Sequence, residues 1–379
     1  MTTQTLQTAL MAGLNLVAPV APTTTTLPIL QSILVATHDD ALTLTATDLQ
    51  TAIVHTLPAG TNGDGEWAVA LPARLFTDWV KTLPGEMVEL APPDATLRLR
   101  AQCGAVAAEL AGQDAADFPQ LVDADAAEIL VDDVPASDLA RALRHVLYAA
   151  AADNQHPILA CTRLRFSSDT LVLDAADGYR LAQYRLPLAS RRETTLLIPA
   201  AALKRVLHAC AKHAETPASI RLANPGAPTA RAVFVIGATV VTTALDDSAY
   251  PDLDRVIPNY AVTTAILDRQ ELLTAVKRAA IFGRGSGQLL TLNVSPSSMW
   301  GCVLAARTDY GSDGQTELAG EITGDPMTIH ANAHFLTEGL SALESERVQL
   351  ALADPLKPLT FTSGTDFTYV VMPMQAGKA

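Results

Sequence analysis

Few residues in this sequence stand in arrangements that chemistry would need. Asp177, in the segment AADGYR, is the strongest candidate for a general-base carboxylate. The same residues also spell an Asp-Gly turn between two strands, and that reading fits the flanking alternation better. His330 and His334 have the i, i+4 spacing of a zinc pair. The glutamate of HExxH is missing between them and no third ligand is evident, so helix-start and surface roles are expected. The run GRGSG at 283–287 follows a helix and precedes a strand, the reverse of a dinucleotide-binding turn, and reads as a loop. No GxxxxGK[ST] or GxSxG pattern occurs. The adjacent acids Asp39 and Asp40, Asp132 and Asp133, and Asp246 and Asp247 sit at turns, where acids are solvated. Cys103, Cys161, Cys210 and Cys302 form no CxxC pair and read as small buried apolar residues in a reducing compartment. These readings give no catalytic residue, no metal and no cofactor.

The elements that would position such residues recur. Amphipathic helices are expected from Leu6, Leu139 and Leu272, and the two intervals are equal. A second set starts at Leu71, Ile198 and Ala331. Pro72 and Pro199 are expected in the first turn of their helices, where proline is tolerated, and Asn332 is expected to cap the third. A third set is a strand ending in a turn with an aspartate, at Asp48, Asp177 and Asp309. Between the helices the sequence alternates in twos, as in LTLT, LRLR and TLNV, which predicts strands. Each repeat therefore holds two helices and many short strands, and is long enough to be a domain. The expected domains are residues 1–126, 127–261 and 262–379.

The chain of 379 residues is 49% hydrophobic and carries a formal charge of −14. No stretch approaches the roughly 18 apolar residues of a membrane span, and the N-terminus lacks the basic region of a signal peptide. A cytoplasmic protein is expected. The charge is unevenly spread. The six expected helix windows hold ten bases (Arg74, Lys81, Arg141, Arg144, Lys204, Arg205, Lys212, Lys277, Arg278 and Arg284) against two acids, Asp78 and Glu338. Lys204, His208 and Lys212 fall on one helical face, as do Arg74 and Lys81. Basic helices in an acidic protein suit a phosphate backbone, read by charge and without sequence preference. Two other readings compete: an acidic scaffold that binds peptides but no DNA, and a hydrolase using Asp177.

The segments TLPIL, TATDLQ, LPARLF, ADFPQL, ADGYRLA, YPDLDRVIP and YVVMPM, in this order along essentially the whole chain, resemble the bacterial DNA sliding clamp, the β subunit of DNA polymerase III. The resemblance implies an α+β fold of three similar domains, each with two helices backed by antiparallel β-sheets. It implies a head-to-tail homodimeric ring threaded by duplex DNA, opened by a clamp loader and tethering the DNA polymerase III catalytic subunit. Other polymerases and repair proteins would dock short peptides in one pocket per chain, between the second and third domains. No membrane partner is implied.

Carried onto this sequence, one wall of that pocket would be Leu159, Ala176, Gly178, Tyr179, Arg180 and Leu181. Pro251, Arg255 and Val256 would form another. Asn332, Phe335, Leu356 and Pro358, with Val370, Met372, Pro373 and Met374, would complete it. Leucines and polarizable methionines suit varied apolar anchors, with Arg180 and Arg255 orienting polar groups. The helix bases would face DNA. Ile281 and Phe282 would cross the subunit boundary towards Leu110 of the partner. Three positions and a tail depart from the family pattern: Thr24 replaces an arginine, Ala176 a threonine, Ala108 a bulkier residue, and QAGKA follows MPM.

Overall fold

Alternation and helical periodicity become local structure much as expected. The computed structural model describes residues 2–38, 40–62, 66–152, 156–283, 287–298, 301–308 and 312–375. Arg284, Asp309 and the end of the QAGKA tail lie outside these residues. Strand Arg98–Cys103 turns Leu99, Ala101 and Cys103 inward and the residues between them outward. The six helices are α1 (Gln7–Val17), α2 (Ala73–Lys81), α3 (Ala136–Val146), α4 (Ala200–Lys212), α5 (Arg269–Phe282) and α6 (Ala333–Ala342). Helix α2 buries Ala73, Phe76 and Val80 and leaves Arg74, Asp78 and Lys81 outside, one apolar stripe on a helical period. None of the described helices is long and apolar enough to cross a membrane.

Three details differ from the sequence reading. Pro72 and Pro199 are not in a first helical turn. Each ends a strand, immediately before α2 and α4, where a fixed φ suits the strand-to-helix corner. Helices α3 and α5 start three residues before Leu139 and Leu272, and so gain Asp138 and Glu271 in their first turns. Acids there complement the helix dipole. The observed helices therefore carry ten bases against four acids. Asn332 caps α6 as expected, accepting hydrogen bonds from the amides of His334 and Phe335 at 2.8 and 3.4 Å.

Contacts divide the chain into two compact units, Met1–Ala140 with Lys204–Leu245 and Arg141–Leu203 with Asp246–Ala379. The division cuts the second repeat in two. In the first unit, an eight-stranded antiparallel sheet takes Glu128–Pro135, Pro217–Ala223, Arg231–Ile236 and Thr239–Ala244 from the second repeat. It continues with Thr51–Pro58, Ala41–Thr47, Ser32–His38 and Trp67–Pro72 from the first. The seam runs from Thr239 opposite His55 to Thr243 opposite Thr51. A five-stranded sheet completes the unit, with Leu10 and Leu14 of α1 and Phe76 and Val80 of α2 wholly buried.

The second unit repeats the plan. Its nine-stranded sheet runs through Thr194–Pro199, Cys161–Phe166, Thr170–Ala176 and Arg180–Pro187 of the second repeat. It then takes Phe367–Val371, Leu359–Ser363, Arg347–Leu352, Thr263–Asp268 and Gly320–Gly324 of the third. Here the seam pairs Arg180 with Val371 and Tyr184 with Phe367. A four-stranded sheet completes it. Three repeats are thus fused by two shared sheets.

Candidate functional site

The best-formed site of the second unit grows from the turn at Asp177. Its carboxylate accepts from the amides of Tyr179 and Arg180 at 2.9 and 3.0 Å, and from Nε of Arg180 at 2.9 Å. Gly178 between them has φ +91°, a left-handed conformation that glycine adopts without strain. The Asp177 carboxylate is spent on the turn, and the hydrolase reading loses its base. The turn aims Tyr179 outward, 66% exposed.

Arg180 is not an orienting group held out for a ligand. Its side chain is nearly buried, with Nη1 on the Glu338 carboxylate and Nη2 donating to the Tyr148 carbonyl at 2.7 Å. The guanidinium also lies 4.6 Å from the centre of the Phe335 ring. Burial pulls its pKa down, but Glu338, Tyr369 and Asp177 together outweigh burial and the net shift is upward. Arg180 is therefore a clamp that fixes the turn to α6. Gly339 brings α6 close to the sheet, since a Cβ there would stand 2.2 Å from Tyr369.

Two adjoining hollows open beside the clamp. The inner one, ≈ 80 Å³, is lined by Ala176, Gly178, Arg180, Leu181, Val256 and Val370, with Leu253 and Met372. The outer one, ≈ 430 Å³, lies among Tyr179, Asn332, Phe335, Met372, Pro373 and Met374, with Gln375. Met372, 40% exposed, borders both. Twelve of the expected pocket residues are thus gathered. Leu159, Pro251, Arg255, Leu356 and Pro358 line neither hollow. Leu356 is exposed in the turn between Arg347–Leu352 and Leu359–Ser363, and Arg255 is a surface residue paired with Asp252.

Leu253 escaped the sequence reading although the segment YPDLDRVIP contains it. It is 5% exposed and packs with Ala176, Leu181 and Val370, flanked by Tyr250 and Ile257. A charged network holds this segment on the sheet. Asp174, wholly buried, accepts from Arg163 at 2.9 Å, Arg165 at 3.1 Å and Gln183 at 2.7 Å. Arg165 and Gln183 reach on to Asp254 at 2.8 and 3.1 Å. Burial raises the Asp254 pKa, but the bonds from Arg165 and Gln183 and the charges of Arg165 and Arg163 together outweigh it, and the net shift is downward. No spacing in the sequence announces this network, because its members come from four separate segments.

Comparison with known proteins accounts for the whole chain. Residues 1–122, 133–252 and 254–375 match the family models for the DNA polymerase III beta subunit, N-terminal, central and C-terminal domains. The chain belongs to the DNA polymerase III beta subunit family. It is similar to the beta sliding clamp of Synechococcus elongatus, 30% identical over 97% of this chain and 98% of the relative. It is also similar to that of Bacillus subtilis, 24% identical over 91% of each chain. Among solved structures, the sliding clamp of Bacillus subtilis superposes with TM-score 0.89 at 21% identity, over 99% of both chains. The Thermotoga maritima beta subunit gives TM-score 0.88 at 23% identity over the full length of both. The fold is the three-domain clamp fold, and the role is that of a non-catalytic processivity subunit that acts with DNA and polymerases. The scaffold reading falls with this result.

The remaining clamp residues named from sequence are variously placed. Arg74, Lys81, Lys204, Lys212, Lys277 and Arg278 are exposed on their helices, and Arg144 reaches Glu344 at 3.7 Å. Arg141 and Arg205 are half-buried, and burial lowers the Arg205 pKa. Ile281 is 58% exposed and Phe282 half-buried. Leu110, by contrast, is 3% exposed and opposite Leu99 in its own domain's sheet, and the large apolar side chain that this strand exposes is Val106. His330 and His334 point to different partners, the Thr291 hydroxyl at 2.9 Å and the Glu338 carboxylate at 3.0 Å. The four cysteines are buried, none in a disulfide, and burial pushes Cys302 up to about 12.

Proposed function

We propose that two copies of this chain close head to tail into a ring around duplex DNA, with the basic helix faces turned to the phosphates. We further propose that the paired hollows of the second unit dock short peptides of the polymerase catalytic subunit, the clamp loader and other clamp-binding proteins. Domain boundaries near residues 126 and 261 and a cytoplasmic location belong to the same reading. The observation that carries it is the joined pair of apolar hollows bordered by Met372, a polarizable side chain able to repack around different anchors. The excess of bases on the helices supports the DNA half. Attraction to phosphate is strong in sum, weak at each contact and independent of sequence, which permits sliding. Retention by topology then needs no tight binding.

The test is retention on DNA. Loaded onto a nicked circular plasmid, the protein should stay bound through gel filtration, and cutting the circle should release it. Equal retention on linear DNA, or a monomer at working concentration, would overturn the ring. Charge reversal at Arg144, Lys204 and Lys212 should weaken loading. Met372→Glu should abolish both loader-dependent loading and stimulation of the polymerase while leaving the dimer intact.

A further inference from the structure

The first unit carries a counterpart of the docking hollow. Align the turns at Asp48 and Asp177 and the rest follows from strand register. Asp48 accepts from the amides of Gln50 and Thr51 at 3.0 and 2.6 Å, as Asp177 does from Tyr179 and Arg180. Ala52 faces Thr242 across the seam, as Leu181 faces Val370. Arg231 pairs with Ala244 at the position that Pro358 holds in the second unit. The segment from Phe118, FPQL, covers this seam as YPDL covers the other, with Leu121 where Leu253 stands. Between them lies a hollow of ≈ 180 Å³, larger than its inner counterpart of ≈ 80 Å³.

Two features point to a ligand. Leu49 stands where Gly178 stands, with φ +73° and 45% exposed. A bulky residue in the left-handed region is strained, and such strain collects at binding sites. Arg231 has no carboxylate within ion-pair distance among the described residues, in a chain of charge −14. Its Nη2 donates to the Leu49 carbonyl at 3.2 Å, which holds the guanidinium at the mouth. The floor is also more polar, with Thr47 and Thr242 in place of Ala176 and Val370.

We propose that this hollow is a second peptide-docking site, for a short extended segment with one aliphatic side chain followed by a carboxylate. The aliphatic group would sit against Leu49, Leu121 and Val122, and the carboxylate on Arg231. The inference rests on reading the hollows of the second unit as a peptide site, and it assigns the two sites different ligands. An apolar anchor suits the second unit, and an acid-bearing one suits the first.

Fluorescence anisotropy on the intact protein tests it. The probe is a fluorescein-labelled hexapeptide of glycine and serine with a central leucine followed by aspartate. Leu49→Asp keeps a residue type that tolerates positive φ, and so preserves the fold. It and Arg231→Glu should each weaken probe binding on the order of tenfold or more, the scale of one charge-assisted hydrogen bond. An asparagine probe should lose a similar factor against the wild type and none against Arg231→Gln. Met372→Glu should leave probe binding unchanged. Absence of saturable binding, or affinity unmoved by Leu49→Asp and Arg231→Glu, would overturn the second site. If Met372→Glu is the variant that weakens binding, the probe occupies the other hollow. The second site then falls while the docking reading of the second unit stands.

Discussion

The two long sheets are built on one plan and finished with opposite chemistry. At matching positions the second unit places Arg163, Arg165, Asp174 and Gln183, and the first places Leu34, Ala36, Thr45 and Val54. On this face one sheet is stitched by buried charge, the other by packing. The reverse holds lower down, at the seam itself. There the second unit pairs Tyr184 with Phe367, and His145 packs tilted to the first and edge-on to the second, with ring centres 4.7 and 5.2 Å away. The first pairs His55 with Thr239, whose hydroxyl bridges His55 at 2.9 Å and His213 at 3.0 Å. The same backbone frame therefore tolerates a charge network or an apolar lattice at a given layer. The choice follows what lies above it. The network anchors the segment that carries Leu253 to the hollow, and Thr45 has no such task.

The comparison breaks most sharply at Asp174. Asp174→Ala strands two arginines, one of them largely buried, and should cost about 3–5 kcal/mol. Thr45→Ala at the matching position should cost under about 1 kcal/mol. Denaturant titration of the two variants measures the difference, and equal losses would remove the distinction between the two sheets.

Acid should act on the first unit through His55. Burial, then the neighbouring His213, pushes its pKa from 6.5 down to about 4. A lowered histidine pKa favours the neutral folded form. Its contribution is therefore complete above 6.5 and declines as pH falls towards 4, because the unfolded chain takes up the proton first. The loss over that window is on the order of 3 kcal/mol. Melting temperature followed from pH 7 to 4.5 should fall, and His55→Gln should flatten the slope.

Smaller effects sharpen the contrast of the turns. Glu338→Gln weakens the Arg180 clamp and should cost about 1–2 kcal/mol, with no counterpart in the first unit because Thr51 stands in place of Arg180. Gly178→Ala should cost about 1 kcal/mol. Leu49→Gly relieves the same backbone strain and should be near neutral or stabilising, by up to about 1 kcal/mol. Thermal unfolding resolves the sign of each.

Much of this protein is legible in its sequence. Periodicity located six helices, alternation located the strands, and the equal spacing of Leu6, Leu139 and Leu272 revealed three copies. These features are local, set by which face of a short segment must be apolar. The helix starts at Ala136 and Arg269 were missed because their first turns, ASD and RQE, hold one apolar residue between them, too few to extend the period. The turn at Asp177 was readable because an aspartate bonds its own neighbours' amides. Recognition of the family motifs supplied most of the pocket residues. Only the tertiary structure decided that the copies share sheets, that Arg180 is a clamp, that Leu110 faces inward, and that Leu253 floors the hollow. Each depends on pairing between distant strands. A strand's sequence fixes which side is buried but not which strand lies beside it. Hence the buried charge of Asp174, and Arg231 without an ion-pair partner among the described residues, became visible only once the strands were paired.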